Sequence, residues 1–298
     1  MESSNKSLRE VFHQTLQDLM LDDALMEDLD RVYMPMANMI RMGFNTGERT
    51  RIIGVNGAQG AGKTTFGRLL QVVLEKSFGM KVVQLSIDDI YLSRSARERL
   101  AQEVHPLLAT RGVPGTHDVK LGEDTLDALC EAGAKDVTLI PRFNKATDDP
   151  FPRTEWDSFV GRPDVVIFDG WFMGAVEQKE TDLLQPVNAL EREEDPYCVW
   201  RRYVNSQLKD NYKSLFNRLD LLVMLKVPSF DKVYEWRALQ EEKLRIKTQG
   251  QKNLRVMSEE EVKRFISHYE RLTRHILAEM PSRADMLFKV SEDHRICI

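Results

Sequence analysis

The sequence predicts an α/β fold in which a doubly wound parallel sheet carries helices on both faces, behind an N-terminal helical extension. From residue 51 onward, short apolar runs alternate with longer amphipathic ones, a pattern typical of parallel strands covered on both sides by helices. A glycine-rich stretch, GVNGAQGAGKTTFG (54–67), directly follows the first apolar run. Ahead of it, residues 7–42 place apolar side chains at helical spacing.

The spacing of apolar residues sets the order of the elements. Residues 7–42 predict two amphipathic helices that pack as an accessory layer, with a partner-binding helix pair as the alternative. We divide the chain into an extension (1–48) and a main domain (49–298). The predicted strands are RIIGV (51–55), KVVQLS (81–86), DVTLI (136–140), DVVIFD (164–169), LDLLVMLKV (219–227) and MLFKV (286–290). Helices are predicted near 63–78, 93–103, 122–132, 200–216, 229–247 and 258–280, and the segments 141–163 and EREED (191–195) are predicted loops.

Composition excludes several classes of protein. The chain has 298 residues, 42% hydrophobic and 30% charged, which is ordinary for a globular protein. Its net charge of −5, with scattered Lys and Arg, argues against nucleic-acid binding. Cys130, Cys198 and Cys297 are too far apart for a zinc site or a disulfide framework. The polar N-terminus and the lack of an apolar run of about 18 residues predict a cytoplasmic protein without a membrane partner.

The glycine-rich stretch matches the pattern GxxxxGK[ST] between a predicted strand and a predicted helix, which indicates a P-loop NTPase-type fold. Such a loop leaves its backbone bare so that N–H groups can reach a polyphosphate, and we expect Gly57, Gly60 and Gly62 to supply positive φ as well. Lys63 would bridge the β and γ phosphates and the Thr64 hydroxyl would bind Mg²⁺. The expected nucleotide-binding residues are Gly57, Ala58, Gly60, Ala61, Gly62, Lys63, Thr64 and Thr65.

Carboxylates end two of the predicted strands. Asp88 and Asp89 follow the second strand at the sheet edge where ligands of open α/β folds bind. An alcohol attacks a phosphate poorly unless its proton is accepted, so we assign general-base catalysis to Asp88. For Asp89 a helix-capping, magnesium-shell or structural role stays open. Asp169 ends the strand DVVIFD and is predicted to bind Mg²⁺, while Trp171 beside it is expected in the pocket wall or core.

Two sequence features exclude a guanine-specific switch. Such proteins need NKxD late in the chain, and FNKATDD has Ala146 and Thr147 after Asn144 and Lys145. This segment also precedes the strand that ends in Asp169, which is the wrong order. The glycine-rich loop therefore favours phosphoryl transfer to a small molecule.

Four motifs in this order, GAQGAGKTT, SIDDIYL, HPLLATRGVPGTHDV and FDGWFMG, resemble the D-glycerate 3-kinase family of the phosphoribulokinase, uridine kinase and pantothenate kinase group. The resemblance covers about residues 50–290 and implies ATP-dependent phosphorylation of the 3-hydroxyl of D-glycerate. It implies that Asp88 is the general base and that RGVPGTHD shapes the acceptor pocket, through Arg111, His117 and Asp118. Relatives often carry Glu at position 169 and an aromatic residue at position 90, where this chain has Asp169 and Ile90.

Cationic loop residues are suited to bind a small hydroxy acid, because a carboxylate needs a balancing charge and Arg can bind both its oxygens. The expected acceptor contacts are Asp88, Tyr91, Arg111, His117, Asp118 and Arg142, with Lys145 as a further candidate. We expect a lid over about 230–255 that carries Arg237, Lys243, Arg245 and Lys247, with a solvated basic helix face as the alternative. Arg237 is the first choice for transition-state charge neutralisation.

We therefore expect a kinase that uses Mg²⁺ with ATP and a small hydroxy acid, with Lys63, Asp88 and Arg237 as catalytic residues. One alternative is a P-loop kinase for another hydroxyl acceptor, such as a nucleoside or a pantothenate-like molecule. The other is a nucleotide-dependent interaction module in which residues 7–42 bind a partner.

Overall fold

The computed structural model describes residues 7–43, 49–247 and 257–297, with the side chains of 240–247 left out of the description. Its helices are α1 (Leu8–Asp18), α2 (Met26–Asp28), α3 (Met34–Gly43), α4 (Lys63–Phe78), α5 (Arg94–Glu103), α6 (Val119–Glu131), α7 (Ala189–Glu194), α8 (Val199–Lys209), α9 (Asn211–Phe216), α10 (Phe230–Lys247) and α11 (Glu259–Glu279). Its strands are β1 (Arg51–Gly57), β2 (Val82–Ser86), β3 (Val137–Ile140), β4 (Phe143–Asn144), β5 (Asp149–Pro150), β6 (Asp157–Val160), β7 (Val165–Gly170), β8 (Leu221–Lys226), β9 (Met286–Val290) and β10 (Ile296–Cys297).

The central sheet has the strand order β10-β9-β8-β1-β7-β2, and only β10 runs antiparallel to its neighbour. Five of the predicted strands form its parallel part, so the predicted doubly wound sheet is confirmed. In the register of the sheet Asp169 lies opposite Val55 of β1 on one side and Ser86 of β2 on the other. The carboxyl ends of β1, β7 and β2 therefore meet at one edge, where the functional side chains gather.

Helices cover both faces of this sheet, each over its own apolar cluster. On one face the N-terminal helices pack against α4 and the sheet through a chain of rings, from Phe12 to Tyr33, Phe66 and Phe288, with centroids 5.4–5.7 Å apart. This is the packed layer that the apolar spacing predicted. On the other face α6, α8, α9 and α11 enclose side chains such as Phe172.

The segment 136–140 is a strand, but its predicted place in the central sheet is wrong. β3 pairs antiparallel with β6 in a separate two-stranded sheet. Its side chains alternate between the interior and water, so that Val137 is 61% exposed, whereas the inner strands β1, β7 and β8 of the central sheet are buried on both faces. The predicted loop 141–163 is also wrong, since it contains β4, β5 and β6.

Two predictions near residue 200 need correction. The acidic run 191–195 is not a loop, because α7 extends to Glu194 and Glu191 is fully buried. Arg271 of α11 donates two hydrogen bonds of 2.7 Å to the Glu191 carboxylate, which allows a charged side chain to lie in the interior. The single helix predicted over 200–216 is divided at Asp210 into α8 and α9.

Candidate active site

The glycine-rich loop connects β1 to α4. Gly60 and Gly62 have φ of +81° and +84°, a left-handed conformation that favours glycine. Gly57 is the last residue of β1, and the positive φ expected there is wrong. Its lack of a side chain makes room instead, since a Cβ would lie 3.1 Å from both Ala61 Cβ and Lys63 Cγ.

Two aromatic rings brace the loop from outside. A Cβ at Gly60 would lie 3.1 Å from Trp236 of α10. His294, between β9 and β10, places Nδ1 3.0 Å from the Gly60 carbonyl oxygen, which accepts a hydrogen bond from it. The His294 ring also lies 4.2 Å from the Trp236 ring. Helix α10 and the C-terminal hairpin thus support the loop, and no motif in the sequence indicated this contact.

Lys63 begins α4 and turns back over the loop. Its Nζ donates a hydrogen bond to the Ala58 carbonyl oxygen at 3.2 Å. Burial lowers the pKa of Lys63, and the carboxylates of Asp169 and Asp88 oppose that shift. Thr64 is exposed in the first helical turn. The ammonium group and the N-terminus of α4 therefore place positive charge at the mouth of the loop.

Asp88 lies in a 3-10 turn, Ile87–Ile90, directly after β2. Tyr91 donates its phenol hydrogen to one carboxylate oxygen at 2.9 Å, and Lys145 donates to the other at 2.6 Å. Burial alone would raise the pKa of Asp88, but the charges of Lys145 and Lys63 and the two hydrogen bonds outweigh it and hold the pKa below its usual range. Asp88 is therefore an ionised hydrogen-bond acceptor at the sheet edge.

Asp89 has a structural role. Its Oδ1 accepts a hydrogen bond from the Phe143 backbone N–H at 3.1 Å, and the Arg142 guanidinium lies 3.9 Å away. Burial raises the pKa of Asp89. The side chain thereby ties β4 to the turn that carries Asp88, a contact that supports the structural alternative for it.

Asp169 ends β7 beside the loop and is 7% exposed. Ser86 donates a hydrogen bond to it at 2.9 Å. Burial raises the pKa of Asp169 to about 6, although Lys63 opposes the shift. The described residues hold no cluster of three His, Cys, Asp or Glu side chains placed to bind a metal alone. One carboxylate beside a phosphate loop suits Mg²⁺, which keeps several waters and takes phosphate oxygens as ligands.

A cleft of about 200 Å³ lies in front of the loop. Four of its lining side chains are cationic and one is a carboxylate, so it favours anionic ligands. The lining residues are Gln59, Lys63, Asp88, Tyr91, Arg111, Lys145, Trp171, Arg237, Phe265 and Tyr269.

The aromatic wall of the cleft explains a glycine of the RGVPGTHD motif. Trp171 donates its indole N–H to the Gly112 carbonyl oxygen at 2.8 Å, and Tyr269 donates its hydroxyl to the Arg111 carbonyl oxygen at 3.2 Å. Gly112 has φ +135°, and a Cβ there would lie 2.2 Å from the Tyr269 oxygen. Only glycine allows the motif to pass this close beneath the ring.

Arg111 lies in this wall with a fixed partner. Its guanidinium pairs with Asp148 and lies 5.7 Å from the centre of the Phe143 ring. Asp148 is held in turn by Arg97, at 2.8 Å from carboxylate to guanidinium. Arg97 is 1% exposed and also donates to the Leu92 and Ala109 carbonyl oxygens. The structure thus fixes the position of Arg111 through a buried neighbour that sequence reasoning did not identify.

The structure brings Lys63, Asp88, Tyr91, Arg111 and Arg237 together in the cleft, as expected. Arg237 also lies 5.7 Å from the centre of the Phe265 ring. The side chains of Lys243, Arg245 and Lys247, and residues 248–255 of the predicted lid, lie outside the described residues.

Three expected acceptor contacts do not line the cleft. His117 lies behind Tyr91, with ring centroids 4.3 Å apart, and its Nδ1 is 2.7 Å from the Tyr212 hydroxyl. Asp118 caps α6 by accepting from the Leu121 N–H at 2.9 Å. Arg142 pairs with Asp157 at 2.8 Å. These residues support the walls from outside.

The sequence analysis missed other parts of the wall. Phe265 and Tyr269 come from α11, far along the chain, and their i, i+4 spacing resembles ordinary core packing. Asn56 also escaped notice. It is 1% exposed and donates to the Met173 carbonyl oxygen at 2.9 Å, which fixes the loop that carries Trp171. No feature of the sequence assigned Gln59 to the cleft, apart from its position within the glycine-rich loop.

Within the described part of the chain, every helix is too short or too polar to cross a bilayer. The structure therefore offers no α-helical membrane span among these residues.

Comparison with known proteins relates this chain to kinases. The chain is 31% identical over 230 residues to the uncharacterized kinase mug58 of Schizosaccharomyces pombe, covering 74% of this chain and 79% of that protein. It is 31% identical over 245 residues to the chloroplastic D-glycerate 3-kinase of Arabidopsis thaliana, covering 78% of this chain but only 50% of that protein. A solved D-glycerate 3-kinase from Cryptococcus neoformans superposes with a TM-score of 0.72 at 25% identity, over 93% of this chain and 99% of that one. No family profile matches the sequence.

Proposed function

The chain belongs to the family of P-loop kinases that includes D-glycerate 3-kinase, and we propose that it transfers the γ-phosphoryl group of ATP to the 3-hydroxyl of D-glycerate. One observation carries the proposal: Lys63 of the phosphate loop and the ionised Asp88 line the same small cleft, in which cations outnumber carboxylates four to one. A phosphate and a carboxylate would both be favoured there.

Asp88 is proposed as the general base. Its Oδ atoms lie at the edge of the sheet beyond the loop, and a carboxylate in reach of an acceptor hydroxyl takes the proton as the oxygen attacks phosphorus. Tyr91 orients this carboxylate through its 2.9 Å hydrogen bond. Lys63 would balance the charge on the transferring group, and Arg237 from α10, which lines the same cleft, would assist it.

Mg²⁺ would be held by Thr64 and Asp169 together with the phosphates, and it would neutralise charge on the β and γ oxygens. Ser86 keeps the Asp169 carboxylate in place through its hydrogen bond at 2.9 Å. The aromatic wall of Trp171 and Tyr269 would limit access of water to the transferring group. We also propose a cytoplasmic location and ATP and a hydroxy acid as the small-molecule partners.

Measurement of ADP release with D-glycerate, uridine, pantothenate and ribulose 5-phosphate, each tested separately, would check the acceptor. We expect stimulation by D-glycerate alone, and ³¹P NMR should identify the product as 3-phosphoglycerate. Lys63→Ala is the matched control, because it should remove nucleotide binding and turnover together. Stimulation by uridine or pantothenate without D-glycerate would overturn the proposed acceptor but leave a kinase.

A further inference from the structure

The segment FNKATDD, left without a role by the exclusion of a guanine switch, places a lysine directly on the proposed base. The Lys145 ammonium lies 2.6 Å from Asp88 Oδ2, although 57 residues separate the two along the chain. The Lys145 side chain is 58% exposed and that of Asp88 is 33% exposed. This ion pair therefore faces the cleft, where a ligand can compete with it.

The backbone that carries Lys145 is fixed although its side chain is not enclosed. Asn144 Oδ1 accepts hydrogen bonds from the N–H groups of Ala146 at 3.0 Å and Thr147 at 3.3 Å, which closes the turn around position 145. Asp89 holds the Phe143 N–H. The turn is thus attached to the Asp88 turn at one point, and the Lys145 side chain reaches the carboxylate from a fixed backbone position.

The pairing has a chemical consequence for transfer. A general base must become protonated, and an ammonium at 2.6 Å stabilises the ionised carboxylate against that step. Arg111 of the same cleft differs from Lys145, because its partner Asp148 is also held by Arg97. A carboxylate on the acceptor, in contrast, offers Lys145 an equivalent partner.

We propose that Lys145 is a specificity-determining residue that exchanges its partner from Asp88 to the carboxylate of the acceptor, so that only an acidic acceptor releases the base. The inference rests on the proposed function and deepens it. In the transfer step the acceptor hydroxyl proton passes to Asp88 while its oxygen bonds to the γ-phosphorus. The bond from that phosphorus to the β–γ bridging oxygen breaks, and ADP leaves with the electron pair.

The first test compares D-glycerate with glycerol, in which a hydroxymethyl group replaces the carboxylate. For Lys145→Gln we expect kcat/KM for D-glycerate to fall roughly 10- to 100-fold, the worth of a charged hydrogen bond. Glycerol turnover should be unchanged or higher, so that the preference for the acid collapses. Lys145→Arg, which keeps the charge, should retain more of the preference than Lys145→Gln.

The control is Lys120→Gln, since Lys120 also pairs with an aspartate, Asp124, but lies on the exposed side of α6 outside the cleft lining. It should leave both acceptors unaffected. An equal fall of D-glycerate and glycerol turnover in Lys145→Gln would assign Lys145 a structural role and overturn the proposal. An unchanged preference for the acid would overturn it as well.

A second test needs no acceptor. ATP hydrolysis uses water in place of the alcohol, so release of Asp88 in Lys145→Gln should raise ADP formation several-fold, roughly 3- to 10-fold. Adding Asp88→Asn should abolish the rise. If the wild type does not phosphorylate D-glycerate, the proposed acceptor is wrong, and ATP hydrolysis alone tests the ion pair. A higher rate of hydrolysis in Lys145→Gln then supports restraint of Asp88 by Lys145, and an unchanged rate overturns it.

Discussion

Two ion pairs in this protein each join a carboxylate to a basic side chain, but they differ in their exposure to water. Asp88 and Lys145 meet in the cleft with both side chains partly open to water. Glu191 and Arg271 meet in the interior, where they are 0% and 8% exposed and share two hydrogen bonds of 2.7 Å. A ligand in the cleft can therefore compete for the first pair. The second pair, which is buried, either stays formed or is lost on substitution.

The buried pair belongs to a larger cluster. Arg201 lies 3.6 Å from Glu191 and 3.5 Å from Asp195, and Asp195 accepts a hydrogen bond from the Trp200 N–H at 3.0 Å. Together these contacts anchor α11, which carries Tyr269 of the cleft wall. Removing a charge from the cleft pair should therefore lower the reaction rate, whereas removing a charge from the buried cluster should lower the stability of the fold.

The largest expected effect is on the rate in Asp88→Asn. The amide cannot take the acceptor proton, and loss of a general base lowers turnover about 10²- to 10⁴-fold. Initial-rate kinetics with D-glycerate should give this loss in kcat, with ATP affinity and the urea midpoint close to wild type. A variant that lost stability instead would show that the cleft pair is structural, which would remove the contrast with Glu191.

The reverse pattern is expected for Glu191→Ala. Breaking a buried ion pair leaves a charge without its partner, and the unfolding free energy should fall by about 3–5 kcal/mol. Urea denaturation would measure this, while kcat of the folded fraction should change little. Glu98→Ala is the matched control, because Glu98 pairs with Arg94 on the exposed side of α5 and should cost less than about 1 kcal/mol. Equal losses in both variants would contradict the contrast.

His117 connects the two kinds of region, since it is 5% exposed yet backs Tyr91 of the cleft. Burial lowers its pKa from 6.5 to about 3. Below pH 6.5 the unfolded chain therefore binds a proton that the folded chain does not. The stability that depends on the neutral ring is complete above pH 6.5 and is lost as the pH falls toward 3.

His117→Phe should remove this dependence. The wild type loses up to about 1.4 kcal/mol for each pH unit below pH 6.5 through this residue, or roughly 2 kcal/mol by pH 5. Urea denaturation at a series of pH values should give a flatter acid limb for the variant, whose stability at pH 7.5 should be about 1–3 kcal/mol lower because the buried Tyr212 hydroxyl loses its His117 partner. Parallel curves for the two proteins would mean that His117 is protonated in the folded state.

The contrast also separates what the sequence could predict from what it could not. Periodicity identified the parallel strands, and the glycine pattern located Lys63, because both signals are local in the chain. Asp88 followed from its place at a strand end. The Lys145–Asp88 pair and the aromatic wall of Phe265 and Tyr269 arise from distant segments, and no spacing rule connects them.

Buried charges misled the sequence analysis for a related reason. An acidic run such as 191–195 resembles a solvated loop unless its cationic partners are known, and Arg271 lies 80 residues further on. The strand 136–140 was misplaced because an alternating apolar pattern does not state which sheet it joins. Local sequence patterns thus predicted the helices, the strands and the glycine-rich loop. Contacts between distant segments determined which sheet a strand joins and which partners the buried charges have.

The smallest expected effect concerns Arg142, which the sequence predicted as an acceptor contact. Its guanidinium is 49% exposed and pairs with Asp157, itself 69% exposed, and an ion pair this open to water contributes less than about 1 kcal/mol. Arg142→Gln should therefore leave the urea midpoint nearly unchanged. KM for D-glycerate should stay within about threefold of wild type, whereas loss of a direct hydrogen bond from Arg142 to the acceptor would cost more than roughly 0.6–1 kcal/mol. Steady-state kinetics beside Lys145→Gln would check this. A tenfold rise in KM for Arg142→Gln would instead mean that the acceptor draws this arginine away from Asp157, and that partner exchange in this cleft extends beyond Lys145.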